Sequence, residues 1–254
     1  MRDFTMAKYG DLCRVLLGAG YTPVTVYQYL TAPPPGRTVV LRHDVDRKPG
    51  NALKMAELEQ TLGIRSTYYF RYPATFVPGV IGRVLALGHE VGYHYEVLAK
   101  AKGDYEKAIG LFTRELAEFR EICDVRTICM HGSPLSHHDN RDLWKTYDFE
   151  DYGIAGEAYL SMAGSCLRYL TDTGRSWSGK HSVRDVMPGA VPVPVETTDD
   201  LTCWIESSGA EGLYLTVHPE RWAMSEIERV AGSVKDLLKN AGKRGVLAIM
   251  GVSK

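Results

Sequence analysis

From residue 38 onward, short runs rich in β-branched and aromatic residues alternate with stretches whose apolar residues recur at helical spacing. TVVLRHDVD (38–46) shows the first pattern. NALKMAELEQTLG (51–63) shows the second, with Met55, Leu58 and Leu62 on one face and Gly63 as its stop. STYYFRY (66–72), HEVGYHY (89–95) and TICMHG (127–132) read as further strands. TFVPGVIGRVLALG (75–88) and DYEKAIGLFTRELAEFREI (104–122) read as helices; the latter carries a stripe of Tyr105, Ala108, Ile109, Phe112, Leu116 and Phe119. After a loop-rich stretch, 133–165, the runs LRYLTDTG (167–174), GLYLTVH (212–218) and VLAIM (246–250) read as strands, and Ser225 with Glu228 forms a capping box at the start of a helix. Parallel strands need long crossovers, so this alternation predicts an α/β fold with a parallel sheet covered by helices. About seven or eight such strands predict closure into a distorted (β/α) barrel, although an open doubly wound sheet has the same local pattern.

Residues 5–30 read as two helical pieces broken by GAGYTP, and TAPPPGR (31–37) reads as a stiff connector. We therefore expect a single domain over 1–254, with 1–37 as an N-terminal helical extension packed on it. With 44% apolar and 24% charged residues the chain is globular rather than disordered. A net charge of −1 gives no electrostatic basis for binding nucleic acid or an anionic membrane. No apolar run approaches the length of a membrane span, and MRDFTMAKYGDL lacks the apolar core of a signal peptide. The five cysteines include no CxxC pair. Reduced thiols and a cytoplasmic location are the expectation.

The strands end in polar clusters: RHDVD, FRYP, YHYE, MHGSP, and later TDTGRSW and VHPERW. In parallel α/β folds the loops at the carboxyl ends of the strands line one face. Asp44, Asp46, His94, His131, Asp172 and His218 are thus expected to converge. Asp44 and Asp46 are two residues apart, so in extended chain they project to the same side. Carboxylates so placed repel unless a cation joins them, and aspartate with histidine suits zinc, manganese, cobalt or nickel. Plainer readings exist for each residue. Asp46 could cap the next helix, His89 and His181 could be packing residues, and His137 and His138 could be loop polarity. Trp177 and Trp222 could be core aromatics or stacking platforms for a sugar ring.

RHDVD followed by GHEVGYH resembles the polysaccharide deacetylase family, whose members remove acetyl groups from sugar polymers. The likeness runs over residues 38–220 in order of motifs, with GHEVGYH the most specific piece. MHGSPLSHHDNRDLW, TDTGRSW and HPERW are similar to a divergent branch associated with surface-polysaccharide clusters. The resemblance implies a distorted (β/α) barrel with a divalent metal, zinc foremost, at the carboxyl ends of the strands. It implies Asp44 as general base and Asp46 and His94 as metal ligands. The family's second histidine would fall at position 98, which is Leu98 here; His131 is the leading replacement, with Glu96 and His89 behind it. MHGSP lacks the family's arginine that orients the base, leaving Arg42 or Arg71 for that part. His218 matches the general acid, with Asp172 setting its tautomer. Arg71, Trp177 and Trp222 would hold the sugar, and a backbone N–H near Arg71–Pro73 or His131–Ser133 would stabilise the oxyanion.

The function implied is metal-dependent removal of an acetyl group from an N-acetylated sugar or saccharide precursor. Two alternatives stand beside it. One is a hydrolase of a non-peptide C–N bond in a small molecule, which Leu98 favours; the other is a catalytically silent saccharide binder. A cytoplasmic member would act on a sugar nucleotide, a lipid-linked precursor or a soluble oligosaccharide. The segment 133–165 is either a lid or a long connection.

Overall fold

The computed structural model describes residues 3–132, 136–182 and 184–224. The expected helix opened by Ser225 and Glu228 and the expected strand at 246–250 lie outside the described residues. The chain begins with α1 (Met6–Gly18), β1 (Thr22–Val24) and α2 (Val26–Thr31). Strand–helix units follow: β2 (Thr38–Val45) with α3 (Pro49–Thr61), β3 (Thr67–Phe70) with α4 (Pro78–Ala86), and β4 (Glu90–Tyr95) with α5 (Val97–Lys100) and α6 (Tyr105–Arg120). Then come β5 (Thr127–Met130), β6 (Gly156–Glu157), β7 (Arg168–Thr171), α7 (Thr198–Ser207) and β8 (Gly212–Val217).

Among the described residues every ladder is parallel, in the order β6-β5-β4-β3-β2-β8-β7, with β1 attached to β2. The seven-strand path curls into a half-barrel with helices around it, the distorted (β/α) barrel expected. Helices cover the outer face and side chains of neighbouring strands fill the inner one, and β2, β3, β5 and β8 are buried at every residue. Along β2 the side chains alternate. Val39 and Leu41 join one apolar cluster, with Leu12 and Leu16 of α1 and Leu201 and Ile205 of α7; Val40 joins the other, with Tyr69 and Tyr214. Arg42 and Asp44 continue the Val40 face by the same period of two, and His43 takes the opposite one. Gly92 of GHEVGYH sits where a Cβ would lie 2.7 Å from the Thr127 carbonyl oxygen and against the Tyr69 ring. Only glycine allows that approach.

No ladder joins β6 to β7 among the described residues. Side chains bridge the seam instead. The Tyr214 hydroxyl donates to the Ala158 carbonyl at 2.9 Å, and Arg42 donates to the Tyr214 and Tyr159 hydroxyls at 3.1 and 2.6 Å. The Tyr169 ring packs edge-on against both Tyr159 and Tyr214.

The structure adds α5, β1, β6 and α7 to the sequence reading. GAGYTP is not only a helix breaker: Thr22–Val24 forms β1, which pairs Thr22 with Thr38 through Val24 with Val40. It occupies the part of the β2 edge that β3 leaves open, since β3 pairs only from Arg42 to Val45. β6 is two residues long. α7 is opened by a capping box in which Thr197 and Asp200 satisfy each other's backbone N–H.

Candidate active site

The charges that end β2 are neutralised locally. Arg42 and Asp44 share a face, and the guanidinium grips the carboxylate with two bonds, Nε to Oδ1 at 2.8 Å and Nη2 to Oδ2 at 2.7 Å. Both side chains are buried. Burial alone would raise the Asp44 carboxyl; Arg42, with His94 beyond it, overrides this and lowers it to about 2. Asp44 is therefore ionised at neutral pH. The arginine that orients it comes from two residues upstream, so Arg42 fills the part left open between Arg42 and Arg71.

Asp46 lies one step past the strand. It does not cap α3, whose N-cap position is Lys48 with no side-chain cap bond. Asp46 Oδ1 instead lies 3.4 Å from His94 Nε2 and 3.5 Å from His131 Nε2. β4 and β5 are adjacent strands, with His94 opposite Cys129 in register, so His131, just past β5, falls beside His94. Each imidazole is fixed from behind. His94 Nδ1 is 2.9 Å from the Cys129 carbonyl, and His131 Nδ1 is 2.8 Å from Glu96 Oε2. Carbonyl and carboxylate oxygens only accept, so each Nδ1 carries a proton and each Nε2 presents its lone pair. Two lone pairs then face a buried carboxylate oxygen that has no hydrogen-bond partner. That arrangement is repulsive unless a proton or a cation lies between them. Asp44 and Asp46 outweigh burial and raise His94, while His131 and His94 outweigh burial and hold Asp46 well below the usual carboxylate range. The donor set Asp46, His94 and His131 fits a divalent metal, and the supporting bonds are those that metal-binding histidines make.

A second grouping shares one of these residues. Asp44, His94 and Cys129 each offer a ligand atom within 4.8 Å of the others, and all three are buried. Two features weigh against it as the metal set. Both Asp44 oxygens are already committed to Arg42. Burial also pushes the Cys129 thiol well above its usual range, against the pull of Arg42, and as a thiol it points at Asp44 from 3.8 Å.

A second pair is built on β7 and β8. Asp172 follows β7 and accepts the His218 backbone N–H at 3.0 Å and Trp222 Nε1–H at 2.8 Å through Oδ2, and it lies 2.6 Å from His218 Nδ1 through Oδ1. Burial and the Arg221 cation push the His218 imidazolium down, but Asp172, helped by Asp185, outweighs them and holds it at about 9. His218 is thus a protonated acid at neutral pH, with Nδ1 occupied and Nε2 directed toward Asp185 Oδ2 at 4.0 Å. Glu220, two residues on, is buried with neither carboxylate oxygen hydrogen-bonded, and Arg47 Nη2 lies 3.7 Å from it. Burial, joined by the Asp46 charge, raises it to about 7.

The predicted residues therefore fall into two linked groups, Asp44–Asp46–His94–His131 and Asp172–His218. Two expectations are corrected and a third is narrowed. Trp222 is 0% exposed and Trp177 is 2% exposed. Both pack with Phe4, and their indole N–H groups go to Asp172 and Thr198. They are core aromatics that hold Asp172 and the α7 cap, with no ring face left for a sugar. Arg71 does not reach toward a substrate: its Nη2 donates to both oxygens of Glu96 at 2.9 Å, which steadies the carboxylate behind His131. Of the backbone N–H groups expected to serve an oxyanion, those of Arg71 and His131 are spent on Thr75 Oγ1 and the Tyr95 carbonyl, which leaves Tyr72 and Gly132 in the same two stretches. Ser133 lies outside the described residues. Leu98 is buried in α5, and His89 is a packing residue between Ser66 and the Ala56 carbonyl.

Sequence reasoning missed Tyr159, Asp185 and Glu220. HPERW contains Glu220, and its place two residues after a strand-end histidine was the available signal. Tyr159 and Asp185 sit in irregular chain with no periodicity to mark them.

No family model matches the chain, and no curated protein matches it. Solved carbohydrate esterases of family 4 are similar to it. A family 4 carbohydrate esterase from Bacillus anthracis is 15% identical with a TM-score of 0.42, covering 92% of this chain and 86% of that one. A Streptococcus mutans CE4 esterase is 13% identical with a TM-score of 0.47, and 86% of each chain is covered. A CE4 family pseudoenzyme from Bacillus anthracis is 12% identical with a TM-score of 0.44, covering 81% of this chain. The chain spans 62–65% of the length of the pseudoenzyme structures it matches. Among the described residues no helix is long and apolar enough to cross a membrane.

Proposed function

We propose that this chain is a metal-dependent hydrolase that removes an acetyl group from an N-acetylated sugar or saccharide precursor. The observation that carries this reading is the pair of imidazole Nε2 atoms aimed, at 3.4 and 3.5 Å, at the partnerless Asp46 oxygen, with an ionised carboxylate and a protonated imidazole nearby. Asp46, His94 and His131 would hold the metal, zinc foremost for an Asp/His set. When bound, such an ion polarises a carbonyl and makes water acidic. The chain's own residues supply the rest. Asp44, kept ionised and oriented by Arg42, takes a proton from the attacking water. The water oxygen bonds to the acetyl carbon, the C–N bond breaks, and its electron pair stays on nitrogen. His218 Nε2 donates a proton to that nitrogen, and Asp172 stabilises the imidazolium and fixes Nδ1 as its partner. Acetate and a free amine leave. Burial of Arg42, Asp44, His94 and Asp172 keeps these charges poorly screened, so each acts strongly on its neighbours.

The deciding experiment measures metal by mass spectrometry in the wild type and in Asp46→Ala, His94→Ala and His131→Ala, beside acetate release from N-acetylated oligosaccharides. One metal per chain in the wild type, lost in all three variants, with turnover abolished by Asp44→Asn, is the expected result. A wild type that takes up no metal on reconstitution would defeat the proposal.

A further inference from the structure

We infer that Asp185 is the carboxylate that receives the nitrogen released by deacetylation, and that it makes the site selective for N-acyl over O-acyl groups. This rests on the deacetylase reading above. Asp185 lies on the connection between β7 and α7, outside every motif that the sequence offered. Its carboxylate is held from behind: Thr173 Oγ1 donates to Oδ2 at 2.6 Å and the Tyr159 hydroxyl donates to Oδ1 at 3.3 Å. Those bonds use two of roughly four acceptor positions, so the carboxylate keeps capacity for a ligand. Asp185 also stays 18% exposed, whereas Asp172, on the other side of the same imidazole, is 0% exposed. One carboxylate is built in; the other faces open space.

The distance defines what the space is for. Asp185 Oδ2 stands 4.0 Å from His218 Nε2, too far for a hydrogen bond and close enough to flank whatever takes the proton from that nitrogen. A leaving amine must approach there. The amide nitrogen is neutral at the start. In the tetrahedral adduct it is an amine with its own lone pair; it takes the His218 proton and becomes ammonium-like, and the C–N bond then breaks with its electron pair returning to nitrogen, so that a neutral amine leaves. Positive character therefore develops next to a fixed carboxylate, which is stabilisation realised late in the reaction. A leaving alcohol from an ester accepts the same proton and stays neutral, so it gains little from Asp185. The Tyr159 hydroxyl that holds Asp185 also accepts from Arg42 at 2.6 Å. Asp44, Arg42, Tyr159 and Asp185 thus form one hydrogen-bonded bridge from the base to the nitrogen site.

The test compares wild type with Asp185→Asn and Asp185→Glu, all metal-loaded and checked for equal melting. Binding is measured for chitotriose, the free amine, and for its N-acetylated form. Turnover is measured on N-acetylated chitotriose and on O-acetylated xylotriose. We expect the wild type to bind the amine about tenfold tighter than the N-acetylated form, and Asp185→Asn to lose that preference. In Asp185→Asn, kcat/KM should fall about tenfold further for the amide than for the ester, through kcat rather than KM, and Asp185→Glu should recover part of it. Equal losses on amide and ester, or a wild type with no amine preference, would overturn the inference while leaving the deacetylase reading intact. A wild type that hydrolyses neither substrate would sink that reading, and this inference with it.

Discussion

Behind the site, on the reverse face of β2 from Asp44, lies a carboxylate whose charge can be tested by its effect on folding. Glu59 of α3 is fully buried. It lies 2.8 Å from His43 Nε2 and accepts from the Ser66 hydroxyl at 2.7 Å and the Tyr68 hydroxyl at 2.6 Å. The Tyr9 hydroxyl of α1 donates to it as well. One side chain therefore ties α1, α3, β2 and β3 together. Burial pushes the Glu59 carboxyl up, but His43 and the other donors win and lower it from 4.5 to about 2. A fall of that size corresponds to about 3 kcal/mol of folding free energy at neutral pH. The perturbation is Glu59→Gln, which keeps the shape and turns one acceptor oxygen into an NH2 group facing donors. Losing such a buried acceptor costs about 1–3 kcal/mol on independent grounds, in line with the first figure. Because the folded carboxyl titrates below the unfolded one, the stabilisation is fully present above the ordinary value near 4.5 and is lost as pH falls toward about 2. Urea unfolding of both proteins between pH 7 and pH 2 reads this directly. The wild-type advantage should be about 3 kcal/mol at neutral pH and should shrink steadily on the acid side. An advantage that does not change across that range would refute the reasoning, because it would mean that Glu59 is carried uncharged in the fold.

Three further outcomes are expected. His218 is held at about 9 by Asp172, so the stability drawn from that pair is complete below the ordinary histidine value near 6.5 and is lost as pH rises through about 9; the stability gap between wild type and Asp172→Asn should narrow over that interval, and a gap that widens counts against it. Glu96→Gln should weaken metal affinity about 10–100-fold in a chelator competition, because Glu96 fixes the His131 tautomer; unchanged affinity would remove His131 from the ligand set. Trp222→Phe should cost about 1–2 kcal/mol through the lost bond to Asp172 and leave the KM for saccharide unchanged; a raised KM at unchanged stability would restore the stacking role.

How legible the molecule was depends on whether a periodic rule covers each part. The period of two in RHDVD put Asp44 and Asp46 on one side, and the same rule puts Arg42 beside Asp44 and His43 opposite them. The strand-end rule brought His131 to His94 although 37 positions separate them, because β4 and β5 are neighbours. Glu59 was readable in principle: it follows Ala52, Met55 and Ala56 at helical spacing, all buried. A carboxylate on that stripe signals an internal partner. β1 and β6 are too short for any alternation to show, and α7 was hidden because its capping box uses Asp200 rather than Glu or Gln. The two tryptophans were misplaced because proximity in sequence to a polar cluster says nothing about which way a ring points. Asp185 and Tyr159 lie in irregular chain, where only three-dimensional contacts reveal them.

The side chains that bridge the seam between β6 and β7 have a consequence for how such a chain can change over generations. Arg42 both orients the candidate base and spans the place where, among the described residues, no strand ladder joins β6 to β7. Loss of Asp44 would strand a guanidinium in the interior, and loss of Arg42 would strand a carboxylate and loosen the seam. A lineage leaving catalysis behind cannot discard the base by one neutral step; it must exchange both residues together or keep an ion pair whose chemistry it no longer uses. A preserved Arg–Asp pair at these positions in a relative would therefore be evidence of an intact barrel before it was evidence of an active enzyme.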